Sequence, residues 1–267
     1  MRIQNSLLMM GICMFAVGFE SARAEELTAE QISQKNFIAS KVSDSLSDST
    51  FRLINASGQE RRRETTGQTK LIKGTTDNMR LVTFLSPSDV KGTKTLFIEH
   101  SKGDDDMWIY LPALKKVRRL VSNNKKDSFV GTDFSYGDVI GHKVEQWNHK
   151  ILKEEKVDGK DCWIVESTPK TPSASESTGY SKRLGWIDKE SFIAVRGEMY
   201  DLNNQLLKKI SARKIEKVDA TNNKWQPMVL EAENVQTGHK TVLEFKNFRA
   251  NQGVGDDVFT TRSLEKQ

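Results

Sequence analysis

Polar and apolar residues alternate along most of this chain in short runs of period two, the signature of half-buried strands. Residues 51–55, 68–73, 80–85, 93–100, 107–111 and 115–121 each fit an extended segment, with Ser57-Gly58, Asp77-Asn78 and Gly103-Asp104 as turns between them. The pattern resumes at 150–157, 161–167, 181–188, 193–200, 205–218, 225–234 and 240–248. Asp158-Gly159 and Asn203-Asn204 stand where two-residue hairpin turns belong. One helix precedes the strands. Thr28 is its N-cap, Gln31 completes a capping-box spacing, and Ile32, Phe37, Ile38 and Val42 form its apolar face. The Ser/Asp-rich stretch 43–50 reads as a break, and 169–179 as a flexible polar loop.

About a dozen strands with few helices cannot remain one flat sheet, because large twisted sheets curl, split or close. Met107/Ile109/Leu111, Met228/Leu230/Ala232 and Leu243/Phe245 place apolar side chains on one face, with polar residues mostly between them. A curved sheet with a dry concave face needs a cover, since exposed apolar surface costs about 25 cal/mol per Å². The N-terminal helix and the glycine-spaced stretch 122–141 are the obvious covers. Phe129, Phe134 and Tyr136 argue against disorder in that stretch, so it reads as a candidate lid.

The chain has 267 residues. A basic start at Arg2, an apolar run to Phe19 and Ala22-Arg23-Ala24 read as a signal peptide over 1–24, cleaved after Ala24, leaving one domain over 25–267. The apolar run is too short for a comfortable transmembrane helix. Removing it leaves 39 basic and 35 acidic side chains, interspersed, a balance that does not call for nucleic acid. Cys162 then has no cysteine partner and reads as a small buried hydrophobe.

Three further stretches carry a resemblance. They are Phe84-Leu85-Ser86-Pro87-Ser88-Asp89-Val90-Lys91-Gly92-Thr93, then Met107-Trp108-Ile109-Tyr110-Leu111-Pro112-Ala113-Leu114-Lys115-Lys116-Val117-Arg118-Arg119, and then Ser128-Phe129-Val130-Gly131-Thr132-Asp133-Phe134-Ser135-Tyr136-Gly137-Asp138. With Asp158-Gly159-Lys160-Asp161-Cys162, Thr237-Gly238-His239-Lys240-Thr241 and Asp257-Val258-Phe259-Thr260, the chain resembles the outer-membrane lipoprotein-sorting protein family, in a LolA-like branch. The resemblance implies a mainly β fold: a strongly curved antiparallel half-open β-barrel covered by an N-terminal helix and a helical or loop lid. It also implies a periplasmic, non-enzymatic, monomeric carrier of lipid or acylated cargo. An RND-type inner-membrane transporter is the implied partner, with transient contact to a membrane surface and no cofactor. An envelope adaptor or sensor that binds a protein through the same sheet is the alternative.

The residues expected to bind ligand are Ile98, Met107, Ile109, Leu111, Phe129, Phe134, Tyr136, Trp186, Met199, Met228, Leu230, Leu243 and Phe245. The methionines suit variable acyl chains, and Trp186 fits either pocket lining or outer-face packing. Lys115, Lys116, Arg118 and Arg119 form the densest basic patch and are expected to dock a partner or anionic headgroups, or to protect a strand edge. Catalytic signatures are lacking: there is no G-x-S-x-G elbow, phosphate loop or H-E-x-x-H. His142 and His149 fall short of a metal-ligand pattern, so no metal is expected, and Asp104-Asp105-Asp106 reads as a hairpin turn.

Overall fold

The computed structural model describes residues 26–266. The expected signal peptide, 1–24, lies outside the described residues. Thirteen strands form one antiparallel sheet: β1 (Asp44–Ile54), β2 (Glu60–Leu71), β3 (Asn78–Ser86), β4 (Lys94–Ile98), β5 (Asp106–Leu111), β6 (Lys116–Leu120), β7 (Trp147–Val157), β8 (Lys160–Pro169), β9 (Lys182–Asp188), β10 (Ala194–Tyr200), β11 (Leu206–Asp219), β12 (Lys224–Asn234) and β13 (His239–Ala250). Their order is β6-β5-β4-β3-β2-β1-β13-β12-β11-β10-β9-β8-β7, so two meanders meet where β1 pairs with β13. The edge strands β6 and β7 do not pair with each other, and the curved sheet stays open as a half-barrel. Among the described residues no helix is long and apolar enough to cross a membrane.

The turn chemistry explains much of this connectivity. Asp158 and Gly159 both take positive φ, the requirement of a two-residue type I′ hairpin between β7 and β8. Asn203-Asn204 does not make such a turn. Asp201 accepts from the backbone N–H groups of Asn203 and Gln205, and only Asn204 has positive φ, which gives a longer loop. Two polar stretches also differ from expectation. Residues 44–50 of the expected break are the first half of β1, because Ser45, Ser47 and Ser49 alternate with the period of a strand. Residues 169–179 contain α3 (Pro172–Thr178), capped by Thr171, with Ala174 and Thr178 buried.

Both faces of the sheet are covered. On the concave side, α1 (Ala29–Ile38) begins with the reciprocal Thr28–Gln31 capping box and lays Ile32 against Val165 and Ile187. On the other half, residues 122–141 fold into short 3₁₀ turns and α2 (Tyr136–Ile140). Phe129 and Tyr136 from this segment pack with Phe51, Phe84, Phe97 and Met107 of the sheet. The convex side is dry over β3 to β6 as well. There the C-terminal stretch, including α4 (Thr261–Glu265), covers Leu81, Leu96, Ile98, Trp108 and Tyr110 with Phe259 and Leu264.

Strand parity decides several expected site residues against their assignment. Ile98 follows Phe97, and since Phe97 faces the concave core, Ile98 must face the convex side. Ile187 is taken by α1, so Trp186 points outward, against Cys162, Ile164 and Val195. Met228 is a different case: it shares the parity of Leu230 but lines a cleft with Lys214, Glu216, Phe245, Asn247 and Phe248, beside the point where β12 stops pairing with β13.

Candidate functional site

Between the concave face and its covers lies a cavity of about 380 Å³, within the range of small-molecule sites. Its wall is graded. Along β1 the inward residues are Ser45, Ser47, Ser49 and then Phe51, and on β2 they are Thr69, Gly67 and Thr65. Facing this hydroxyl-rich strip are Ile210, Leu230, Leu243, Phe245 and Phe248 from β11 to β13, with Phe129, Phe134, Val139 and Ile140 from the covering segment. Lys41, Asn78, Arg80 and Glu99 close the polar end. One end therefore offers hydrogen bonds, the other apolar surface.

The covering segment is fastened on both sides of the cavity. Arg63 on β2 donates to the Val130 carbonyl and Arg80 on β3 to the Val139 carbonyl. Across the cavity, the Asp133 carboxylate takes His239 Nδ1 at 2.6 Å and the Thr241 hydroxyl at 2.7 Å, both on β13. Asp105, expected only to shape a turn, is buried and grips Lys125 at 2.6 Å and Lys143 at 3.1 Å. With Phe129 in contact with four other aromatic rings, the first half of the segment is core, not a loose lid.

The last fastening is a buried polar group around Asp138 of α2. Lys208 Nζ lies 2.7 Å from its carboxylate, Tyr180 donates to it at 2.9 Å, and His142 stands 3.5 Å away. Burial opposes the charge on Asp138, yet Lys208 and His142 hold its carboxyl far below the usual range. Burial pushes the Tyr180 phenol up to about 12. Burial, aided by the nearby Arg183 cation, lowers His142 to about 4 despite its Asp138 partner, so the imidazole is neutral at pH 7. Arg183, half-buried, stacks over Trp147 at 4.0 Å.

Of the expected ligand-binding residues, Phe129, Phe134, Leu230, Leu243 and Phe245 line the cavity. Met107 and Tyr136 are on the right side of the sheet but are sealed in the core, because the covering segment packs directly on that half. Ile109 and Leu111 continue the face of Met107 toward the β5–β6 turn and do not reach the cavity. Met199 sits in a cross-strand row between Arg183 and Lys208, beside the Asp138 group and outside the cavity. The hydroxyl strip and Arg80 were missed, though the Ser-x-Ser-x-Ser alternation at 45–49 was a readable strand signal.

The basic patch falls on the sheet edge. Lys115, Lys116, Arg118 and Arg119 are exposed, beside exposed Leu114 and Val121, and Arg119 pairs with Asp106.

Reactive groups are engaged or protected. Burial raises the Cys162 thiol to about 11, which keeps it protonated near neutral pH. His149 donates Nε2–H to the Val144 carbonyl at 3.0 Å and accepts at Nδ1 from Ser33 and Ser167. His142 lies in the separate Asp138 group. Among the described residues no three His, Cys, Asp or Glu side chains gather as a metal site.

Comparison with known proteins places this geometry among relatives. A family model for an uncharacterized protein matches residues 76–266. The crystal structure of an outer membrane lipoprotein-sorting protein domain from Vibrio parahaemolyticus is similar at TM-score 0.81 and 29% identity, over 89% of this chain and 98% of that one. A DUF1329 family protein from Desulfovibrio piger matches at TM-score 0.81 and 30% identity, over 88% and 97%. A LolA superfamily protein from Nitrosomonas europaea shares the fold at TM-score 0.68 and 19% identity, over 89% and 100%. No curated protein matches the chain.

Proposed function

Because the chain belongs to the DUF1329 family and has the LolA-like fold of the lipoprotein-sorting domain, we propose that it is a non-enzymatic carrier. It holds a lipid or lipidated molecule with the acyl chain in the apolar end of the cavity. The observation that carries this reading is the apolar wall of Phe51, Phe129, Leu230, Leu243 and Phe245 facing an internal void. Burial of a chain there contributes about 0.8 kcal/mol per methylene, so affinity comes easily and release needs help. The chain works in the periplasm after export, as one domain over 25–267, and passes cargo to or from an RND-type transporter. Docking uses the exposed edge at Lys115, Lys116, Arg118 and Arg119, where each basic side chain near an anionic surface adds about 1 kcal/mol.

Native mass spectrometry of protein purified from cells is expected to show co-bound lipid. A protein recovered empty, and in stable complex with a protein partner, would instead favour an envelope adaptor.

A further inference from the structure

The cavity contains a cation that has no ion-pair partner among the described residues. Lys41 and Arg80 are the basic residues on its wall. Lys41 is fully engaged: it pairs with Glu99, donates to the Thr76 carbonyl at 2.9 Å and lies 3.6 Å from the centre of the Phe37 ring. Arg80 is different. It makes one hydrogen bond to protein, to the Val139 carbonyl, and has no ion-pair partner among the described residues. Glu99 is the carboxylate that acts on it electrostatically, and Glu99 already accepts from Lys41 and from the Asn78 N–H. Asp138, the other acid on the wall, is bound by Lys208. A guanidinium has five N–H donors in a planar fork, and leaving such a charge enclosed and unpaired is costly.

The surroundings of Arg80 are arranged for the same kind of ligand. Thr69 stands directly opposite Arg80 across β2 and β3, and Ser45 directly opposite Thr69 across β1 and β2. Their hydroxyls are 2.6 Å apart, and all three residues face the void. Along β1 from Ser45, about 20 Å of strand leads to Phe51 and the apolar end. From this juxtaposition we infer that the cavity is built for an amphiphile with an anionic head group, carboxylate or phosphate. The head sits on Arg80 beside Thr69 and Ser45, and the chain runs along β1 toward Phe51, Phe129 and Leu243. The inference rests on the carrier reading and narrows its cargo.

Calorimetric titration of the delipidated full chain tests it, with dodecanoate, dodecan-1-ol and inorganic phosphate as probes. Dodecanoate is expected to bind about tenfold more tightly than dodecan-1-ol, the margin by which a charge-assisted bond exceeds a neutral one. Arg80→Gln is expected to erase that margin, and millimolar phosphate to leave dodecanoate binding intact. Equal affinity of the two amphiphiles for the wild type would overturn the inference while leaving the carrier reading in place. So would a preference that survives Arg80→Gln. Displacement by phosphate alone would mark a site for free anions and overturn it too. Failure of both amphiphiles to bind would overturn the carrier reading itself. The wild-type ratio decides even if Arg80→Gln does not fold.

Discussion

Replacing Phe129 with alanine is expected to cost about 3–5 kcal/mol of stability, read as a lowered denaturant midpoint. The ring is almost fully buried and touches Phe51, Phe84, Phe97 and Tyr136, with centroid separations of 5.6–6.2 Å. Those partners come from β1, β3, β4 and the covering segment, so one deletion opens a hole where the cover meets the sheet. The aromatic geometry adds to area burial, and the close-packed surroundings relax only partly around the truncated side chain. A loss below about 1 kcal/mol, the size of a surface change, would show the segment to be a loose lid after all.

A comparable loss is expected at Lys208. Lys208→Met leaves the Asp138 carboxylate buried without its cation, an imbalance worth about 3–5 kcal/mol. The double variant Asp138→Leu/Lys208→Met is expected to recover more than half of it, because removing both charges also removes the cost of burying either. Failure to recover would show that the pair acts through packing alone. His142 adds a pH dependence with a definite sign. Its pKa is lowered from about 6.5 in the unfolded chain to about 4 in the folded one. Its contribution is therefore complete above pH 6.5 and is lost as pH falls toward 4, since the unfolded chain takes up the proton first. The denaturant midpoint of the wild type is expected to fall across that window, and that of His142→Asn to fall less. Asp138 adds a loss of the same sign at the acid end of that window and below it, because the unfolded carboxyl begins to take up its proton between about pH 5 and 4 while the folded one stays ionised.

Both predictions rest on features that the sequence revealed unequally. Each of the thirteen strands overlaps an expected segment, although 44–50 of β1 and 60–67 of β2 fell outside those segments, and Thr28 with Gln31 announced α1, because local backbone preference and capping chemistry agree there. The face each strand presents was harder to read. In β4 and β9 apolar residues occupy both parities, because the C-terminal stretch covers the convex side at β4 and Trp186 of β9 lies among apolar neighbours of its own outer face under Arg196, so Ile98 and Trp186 carry no sign of their direction. In β1 the inward residues are serines, and a rule that seeks apolar residues inside passes over a wall lined with hydroxyls. Asp105, Asp138 and Arg80 were illegible for another reason. Each acquires its meaning from a partner 20 or more residues away, which only the closed fold supplies.

On the proposed carrier reading, the covering segment limits how cargo could be exchanged. With Phe129 and Tyr136 in the core, the segment cannot lift as a whole without unfolding half the sheet's packing. The separable part is the turn 131–134, tied to β13 through Asp133 by His239 and Thr241. A docked partner that competes for those ties would widen the void without dismantling the aromatic cluster.

The most direct measurement of the central claim is lipid uptake by delipidated protein with charges placed at chosen points. Leu230→Asp and Leu243→Asp put a carboxylate on the apolar wall, whereas Leu202→Asp puts one on an exposed loop. After equilibration with an envelope lipid extract, native mass spectrometry is expected to find lipid on the wild type and on Leu202→Asp, and little on the two cavity variants. Equal loading of all four proteins, or an empty wild type, would contradict a carrier that holds its cargo in this cavity.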